Sequence, residues 1–276
     1  MIQPQLDYYD MGEGIVAFSS TRHGGCSKGC YATFNINRYC GDNENDIRKN
    51  RETLCQTLEI SDERLVMPHQ VHGTKVVKID DAFLSLNMAE RQEALEGVDA
   101  LMTNLKGVCI GVSTADCIPV LLYDSEHQAV CAIHAGWRGT VKRIVVKAIE
   151  AMTEVYGTQP RQLIAQIGPG IHIDSFEVGD EVYDAFAKEG FDMESISKKY
   201  PCGNKFFTLH SSLFTSKWHI DLPMCNCLQL TTCGVLFQHI KVSPVCTYQQ
   251  ADDYFSARRL GINSGRIFTG IMCKEP

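Results

Sequence analysis

Residues 99–140 read DALMTNLKGVCIGVSTADCIPVLLYDSEHQAVCAIHAGWRGT. Four short β-rich runs stand in this stretch, Asp99–Thr103, Val108–Thr114, Ile118–Tyr123 and Ala129–His134, with Gly, Asp and Ser residues between them. Branched and aromatic side chains suit a pleated surface, so punctuated runs of this length read as strands of one central sheet. The next segment sets Val141, Ile144, Val145, Ala148, Ile149, Met152 and Val155 on one helical face, and Gly157 is placed to end that helix. Strands followed by a strong helix predict a mixed fold, α/β or α+β.

Outward from this centre the pattern is similar. Ile15–Thr21 reads as a strand that breaks into the turn Arg22-His23-Gly24-Gly25. A helix is expected from Asn45 or Asp46, either able to cap it, to about Glu59. Its inward stripe is Ile47, Arg51, Leu54 and Leu58, an arginine among three apolar residues. A strand is expected at Leu163–Ile167, helices at Asp180–Lys188 and Met224–Cys233, and late strands near Ile240 and Ile267. No repeat, low-complexity tract or linker divides residues 1–276, which predicts a single domain.

The formal charge of −7 weighs against nucleic-acid binding. No apolar run approaches the ~20 residues of a membrane helix. The opening MIQPQLDYYDMGEG lacks the basic flank and apolar core of a secretory signal, so a cytoplasmic address is expected. Thirteen cysteines are scattered without a CxxC pair, which fits neither a zinc ribbon nor a thioredoxin-like motif. Most are expected to be small buried residues.

Three motifs concentrate the chemistry: His69-Gln-Val-His72-Gly73, Ala115-Asp-Cys117-Ile-Pro119 and His134-Ala-Gly-Trp-Arg138-Gly139. Each sets a metal-ligating side chain beside a turn former where an apolar run ends, the place where rigid strands aim accessible side chains. Two imidazoles and one thiolate fill three corners of a zinc tetrahedron and leave the fourth for water or substrate. His72 and Cys117 are 45 positions apart, and Cys117 and His134 are 17 apart, so only the fold can bring them together. Side chains alternate along a strand, so His69 and His72 cannot both face the site unless a turn intervenes. His72, followed by Gly73, is the expected ligand. Copper(II) binds an N/S site more tightly than zinc, which leaves Cu2+ as the alternative metal. A multicopper oxidase, however, uses many His-x-His pairs, and the nine histidines here form none. Without a metal, Cys117 and His134 pair instead as nucleophile and base, the arrangement of a Cys/His amide hydrolase.

These motifs resemble the YfiH-type proteins, also called the laccase-domain or multicopper polyphenol oxidase family. The resemblance runs from Thr21-Arg22-His23-Gly24-Gly25 through the three motifs above to Ile167-Gly168-Pro169-Gly170, Phe176-Glu177-Val178-Gly179 and Phe255-Ser256-Ala257-Arg258-Arg259. It implies a single layered α/β sandwich with a central mixed sheet, and zinc held by His72, Cys117 and His134. It further implies purine nucleoside phosphorylase activity on adenosine, inosine and methylthioadenosine, together with adenosine deaminase activity. The partners would then be a nucleoside and phosphate, with no obligatory protein partner. Some relatives are described as peptidoglycan-editing factors. The chain departs from the family pattern at Cys26, Gly170 and Ala257, the last two expected near pocket walls.

Phosphorolysis needs a held anion. Arg22 on its Gly-Gly turn, Arg51, Arg138 and Arg258 are the candidate phosphate or substrate clamps. The helix start after His134 is expected to favour an anion as well. Asp116 is the candidate to orient a ligand, its other reading being the turn former ahead of Cys117.

Overall fold

The computed structural model describes residues 3–201 and 216–275. Its strands are β1 (Leu6–Tyr9), β2 (Ile15–Ser20), β3 (Leu65–Val66), β4 (Lys75–Lys78), β5 (Val98–Thr103), β6 (Cys109–Thr114) and β7 (Ile118–Asp124). They continue with β8 (Ala129–Ala135), β9 (Ile164–Ile167), β10 (Glu177–Val178), β11 (Ser197–Pro201), β12 (Ser216–Ile220), β13 (Ile240–Val242) and β14 (Ile267–Cys273). The helices are α1 (Glu44–Leu58), α2 (Asp81–Ser85), α3 (Met88–Ala94), α4 (Trp137–Val141) and α5 (Ile144–Tyr156). After them come α6 (Asp180–Lys188), α7 (Met193–Ile196), α8 (Leu222–Thr232) and α9 (Ala257–Leu260).

The fold is mixed α/β, but the four central runs divide between two sheets. β5, β7 and β8 lie in a six-stranded sheet of order β13-β9-β7-β8-β5-β4. β6 instead pairs with β14, antiparallel, in a five-stranded sheet of order β1-β2-β14-β6-β3. All four strands are buried throughout, so their apolar runs carry no mark of which sheet each joins. The partner of β6 lies far along the chain, and glycine permits the fit. A Cβ at Gly111 would meet the Phe268 ring at 2.2 Å.

Alternation along the strands builds the layers. Val120 and Leu122 of β7, with Cys131 and Ile133 of β8, face Val145, Ala148, Ile149 and Met152 of α5 and Leu230 of α8. Leu121, Tyr123, Val130 and Ala132 point the other way and pack on Ala17, Ile110, Val112 and Ile271 of the five-stranded sheet. The outer face of that sheet carries Phe18, Phe268 and Met272 against Leu54 and Leu58 of α1. The order is helix, sheet, sheet, helix, with β10, β12 and β11 as a separate small sheet.

Four sequence expectations need adjustment. The cap of α1 is Asn43, whose side chain accepts from the N–H groups of Asn45 and Asp46, so the helix starts just before the predicted point. The helix read from Val141 is broken, because Arg143 adopts a left-handed φ of 64° and separates α4 from α5. Val155, counted on the inward face, is 42% exposed. The helix start after His134 therefore belongs to a segment of only 5 residues, too short to supply the aligned dipole expected there. One of the thirteen cysteines, Cys202, lies outside the described residues.

Candidate metal centre

The three motifs converge where β3, β6 and β8 end. Between β3 and β4 the chain turns through His72, which holds a left-handed φ of 61°, a region that L-residues rarely enter. The Asp99 carboxylate of β5 sustains this turn. It accepts the N–H groups of Val71 (3.3 Å), His72 (3.0 Å) and Gly73 (2.6 Å). A turn thus does intervene between the two histidines. His69 pairs with Glu96 at 2.8 Å and stacks on Tyr39, while His72 turns toward Cys117.

Cys117 follows Asp116, whose φ of 88° swings the chain from β6 into β7. The Asp116 carboxylate accepts from the Thr247 hydroxyl and the Arg258 N–H. Asp116 therefore serves the turn. The carboxylate that meets one of the three side chains is Asp99, fully buried, which accepts from His134 Nδ1 at 2.7 Å. That bond leaves Nε2 of His134 as the free ring nitrogen. Gly136 lets the backbone pass close by, since a Cβ there would sit 2.6 Å from His72 Cδ2 and 3.0 Å from Cys117 Sγ.

The ligand atoms of His72, Cys117 and His134 lie within 4.8 Å of one another. His72 Nε2 and Cys117 Sγ are 3.6 Å apart. A tetrahedral zinc ion with ordinary bond lengths sets a nitrogen and a sulfur about 3.6 Å apart, so the donor set fits the ion in kind and in spacing. Burial alone would push the Cys117 thiol up, but His134 and then His72 pull it down to about 6. Burial likewise disfavours a charged His134, but Cys117 and Asp99 outweigh it and raise the imidazole to about 9. Burial opposes the charge on Asp99 as well, yet His134 and the loop N–H groups hold it below its usual range. Among the described residues this is the one group of three side chains so arranged.

The centre opens into a cavity of about 300 Å3, lined also by Asn37, Tyr39, Gln70, Ala257 and Arg266. Gln70 is rigid, bonded both ways to the backbone of Ser113 in β6. Ala257 lies in the wall as expected. Gly170 sits behind it, where a Cβ would meet Ile118 Cδ1 at 2.4 Å.

None of the four nominated arginines lines this cavity. Arg22 donates to the carbonyls of Ala32 and Ala251 and lies over Phe255. Arg51, on the buried face of α1, is tied to Asp62 and the Leu65 carbonyl, beside a separate cavity of about 380 Å3 that shares Tyr39. Arg138 is exposed over Trp137, and Arg258 donates to the Glu177 carbonyl. The arginine in the wall of this cavity is Arg266. Neither Asp99 nor Arg266 stands in one of the three motifs.

Residues 16–274 match the family described as multi-copper polyphenol oxidoreductase laccase, and the chain belongs to that family. It is an enzyme. It is 47% identical over 258 residues to a purine nucleoside phosphorylase from Bacteroides thetaiotaomicron, covering 94% of this chain and 91% of that one. To adenosine deaminase RL5, from an unknown prokaryotic organism, it is 43% identical over 270 residues, 98% of each chain. The crystal structure of YlmD from Geobacillus stearothermophilus shares the fold with a TM-score of 0.82 at 30% identity, covering 97% of this chain and 94% of that one.

Proposed function

We propose that this chain is a zinc-dependent purine nucleoside phosphorylase acting on adenosine, inosine and methylthioadenosine, with adenosine deaminase activity in addition. The observation that carries the reading is the three-ligand centre facing a cavity wide enough for a small polar substrate. The named activities of the two similar proteins support it.

His72, Cys117 and His134 would hold the ion. When bound, it supplies a Lewis acid that brings a water pKa down to about 7. Asp99 fixes the tautomer and the angle of His134. Gly136 keeps the approach to the ligands clear. Gln70 and the Tyr39–His69 stack, with ring centroids 4.1 Å apart, give the cavity a rigid wall. Zinc suits a set of two nitrogens and one sulfur. One cluster of three ligands among the described residues is too few for a four-copper oxidase, although a single Cu2+ would fit the same donors.

A second reading has its own support. Cys117, His134 and Asp99 also line up as thiol, imidazole and carboxylate, the order of a Cys/His amide hydrolase that would edit peptidoglycan precursors. Purified protein assayed with inosine and phosphate, with and without chelator, separates the two. Ribose 1-phosphate should be released, should vanish on chelation and should return with zinc rather than copper. Activity that rises after chelation and is blocked by thiol alkylation would establish the hydrolase instead.

A further inference from the structure

We propose that Arg266 is the anion-binding residue of the cavity and holds inorganic phosphate against the metal centre. The proposal rests on the phosphorylase reading for the identity of the anion and on geometry for the residue.

Among the described residues lining the cavity, Arg266 is the one arginine or lysine, and no carboxylate lines it. The side chain is built into place. Its Nη1 donates to the carbonyls of Ser264 and Gly265, and its Nη2 donates to that of Ile262 at 2.8 Å. These bonds leave the Nε–H and one Nη2–H without an acceptor among the described residues. Nε and Nη2 stand side by side on the guanidinium, the pair of nitrogens that can meet two oxygens of a phosphate. No carboxylate pairs with Arg266 among the described residues, so its charge is not spent within the fold. Asp42, which with Arg266 flanks Cys40, is already engaged by the Ser27 hydroxyl, the Asn35 amide and the Asn43 N–H.

The backbone is fixed too. Arg266 N–H donates to the fully buried Asn35, and Gly265 lies so close to Phe255 that a Cβ would meet its ring at 2.4 Å. A charge held this firmly loses little freedom when it binds. In phosphorolysis, an oxygen of hydrogenphosphate forms the bond to C1′ of the ribose as the bond from C1′ to the base breaks. The bonding pair leaves with the base, and the proton that hydrogenphosphate carried ends on the base nitrogen.

The test compares zinc-loaded wild type with Arg266→Gln and Arg266→Lys. Calorimetric titration with inorganic phosphate should show binding to the wild type, weakened about 10- to 100-fold in Arg266→Gln, the loss expected for hydrogen bonds to a charged group. Arg266→Lys, which keeps the charge and loses the pair of nitrogens, should fall between. The KM for phosphate should follow the same order, with the KM for inosine moving far less and zinc content staying at wild-type level. Phosphate affinity equal in all three proteins overturns the proposal, as does a loss of phosphate binding that comes with loss of zinc. Wild type that binds phosphate through Arg266 yet cleaves no nucleoside would leave this assignment standing and remove the phosphorylase reading.

Discussion

A histidine–aspartate pair stands at each end of β8. In the turn that leads into the strand, His127 Nδ1 meets Asp124 at 2.8 Å, and near its far end His134 Nδ1 meets Asp99 at 2.7 Å. Both carboxylates are fully buried and both take backbone N–H groups, Asp124 from Glu126 and His127, Asp99 from Val71, His72 and Gly73. The local physics is the same: a buried carboxylate must be saturated with donors. The reach differs. Asp124 takes its backbone N–H groups and its imidazole from its own turn, with only the Thr158 side chain approaching from beyond α5, whereas Asp99 ties β5 to a second loop and a second strand. Only there do a thiol and another imidazole arrive. A buried histidine–carboxylate pair is turn chemistry until distant segments bring it company.

Removing that company should have the largest effect. His72→Ala takes away one ligand and leaves Cys117, His134 and Asp99 in line. Zinc content should drop to near zero, and phosphorolysis should fall by about 100-fold or more, since affinity depends on every ligand. Elemental analysis and a ribose 1-phosphate assay check this. Full activity without zinc would show instead that the thiol and imidazole act alone.

Next in size is Asp99→Asn. Loss of the carboxylate behind a metal-bound histidine lowers metal affinity by about 10- to 100-fold. The loop N–H groups lose a charged acceptor as well, which costs roughly 1.5–3 kcal/mol of stability. Zinc titration and denaturant unfolding measure the two effects separately. If zinc affinity were unchanged, Asp99 would be no more than a loop fastening, the equal of Asp124.

The contrast also explains what the sequence made legible. His72, Cys117 and His134 could be read because each needs a local device that leaves a trace in composition. Such traces are Gly73 after a left-handed His72, Asp116 at a positive φ before Cys117, and Gly136 packed on the two ligands. Asp99 left no trace, because its partners lie 27 and 35 positions away and nothing in the run DALMT marks it. β6 was misplaced for the same reason, its sheet being decided by β14. The arginines differ in kind, since none of the four lines the cavity beside the three ligands. Arg22, Arg51, Arg138 and Arg258 were nominated from neighbouring turns, stripes and helix starts, and a long side chain reports little about where its head group ends. Arg51 was read correctly as facing inward on α1, yet inward led to Asp62. Arg266 reaches the cavity through the turn that precedes β14, a consequence of strand pairing rather than of local sequence.

The smallest effect on chemistry should come from the other end of β8. Asp124→Asn removes the charge from a fully buried acceptor of two backbone N–H groups and an imidazole, and should cost about 1.5–3 kcal/mol of stability near neutral pH. Zinc content and turnover should stay at wild-type levels. The loss should depend on pH in a definite direction. Burial opposes the charge on Asp124, but Thr158 and His127 hold its carboxyl below the usual range. The stability it brings is therefore complete above the unfolded-chain pKa of about 3.9 and is lost as pH falls through the lower folded value. Urea unfolding of both proteins at pH 7 and again at pH 3 should show the gap narrowing in acid. A gap that stayed constant would mean that the charge of Asp124 contributes nothing and only the shape of its turn matters. A fall in zinc content would mean that the two ends of the strand are coupled, and the separation between fastening and site would not hold.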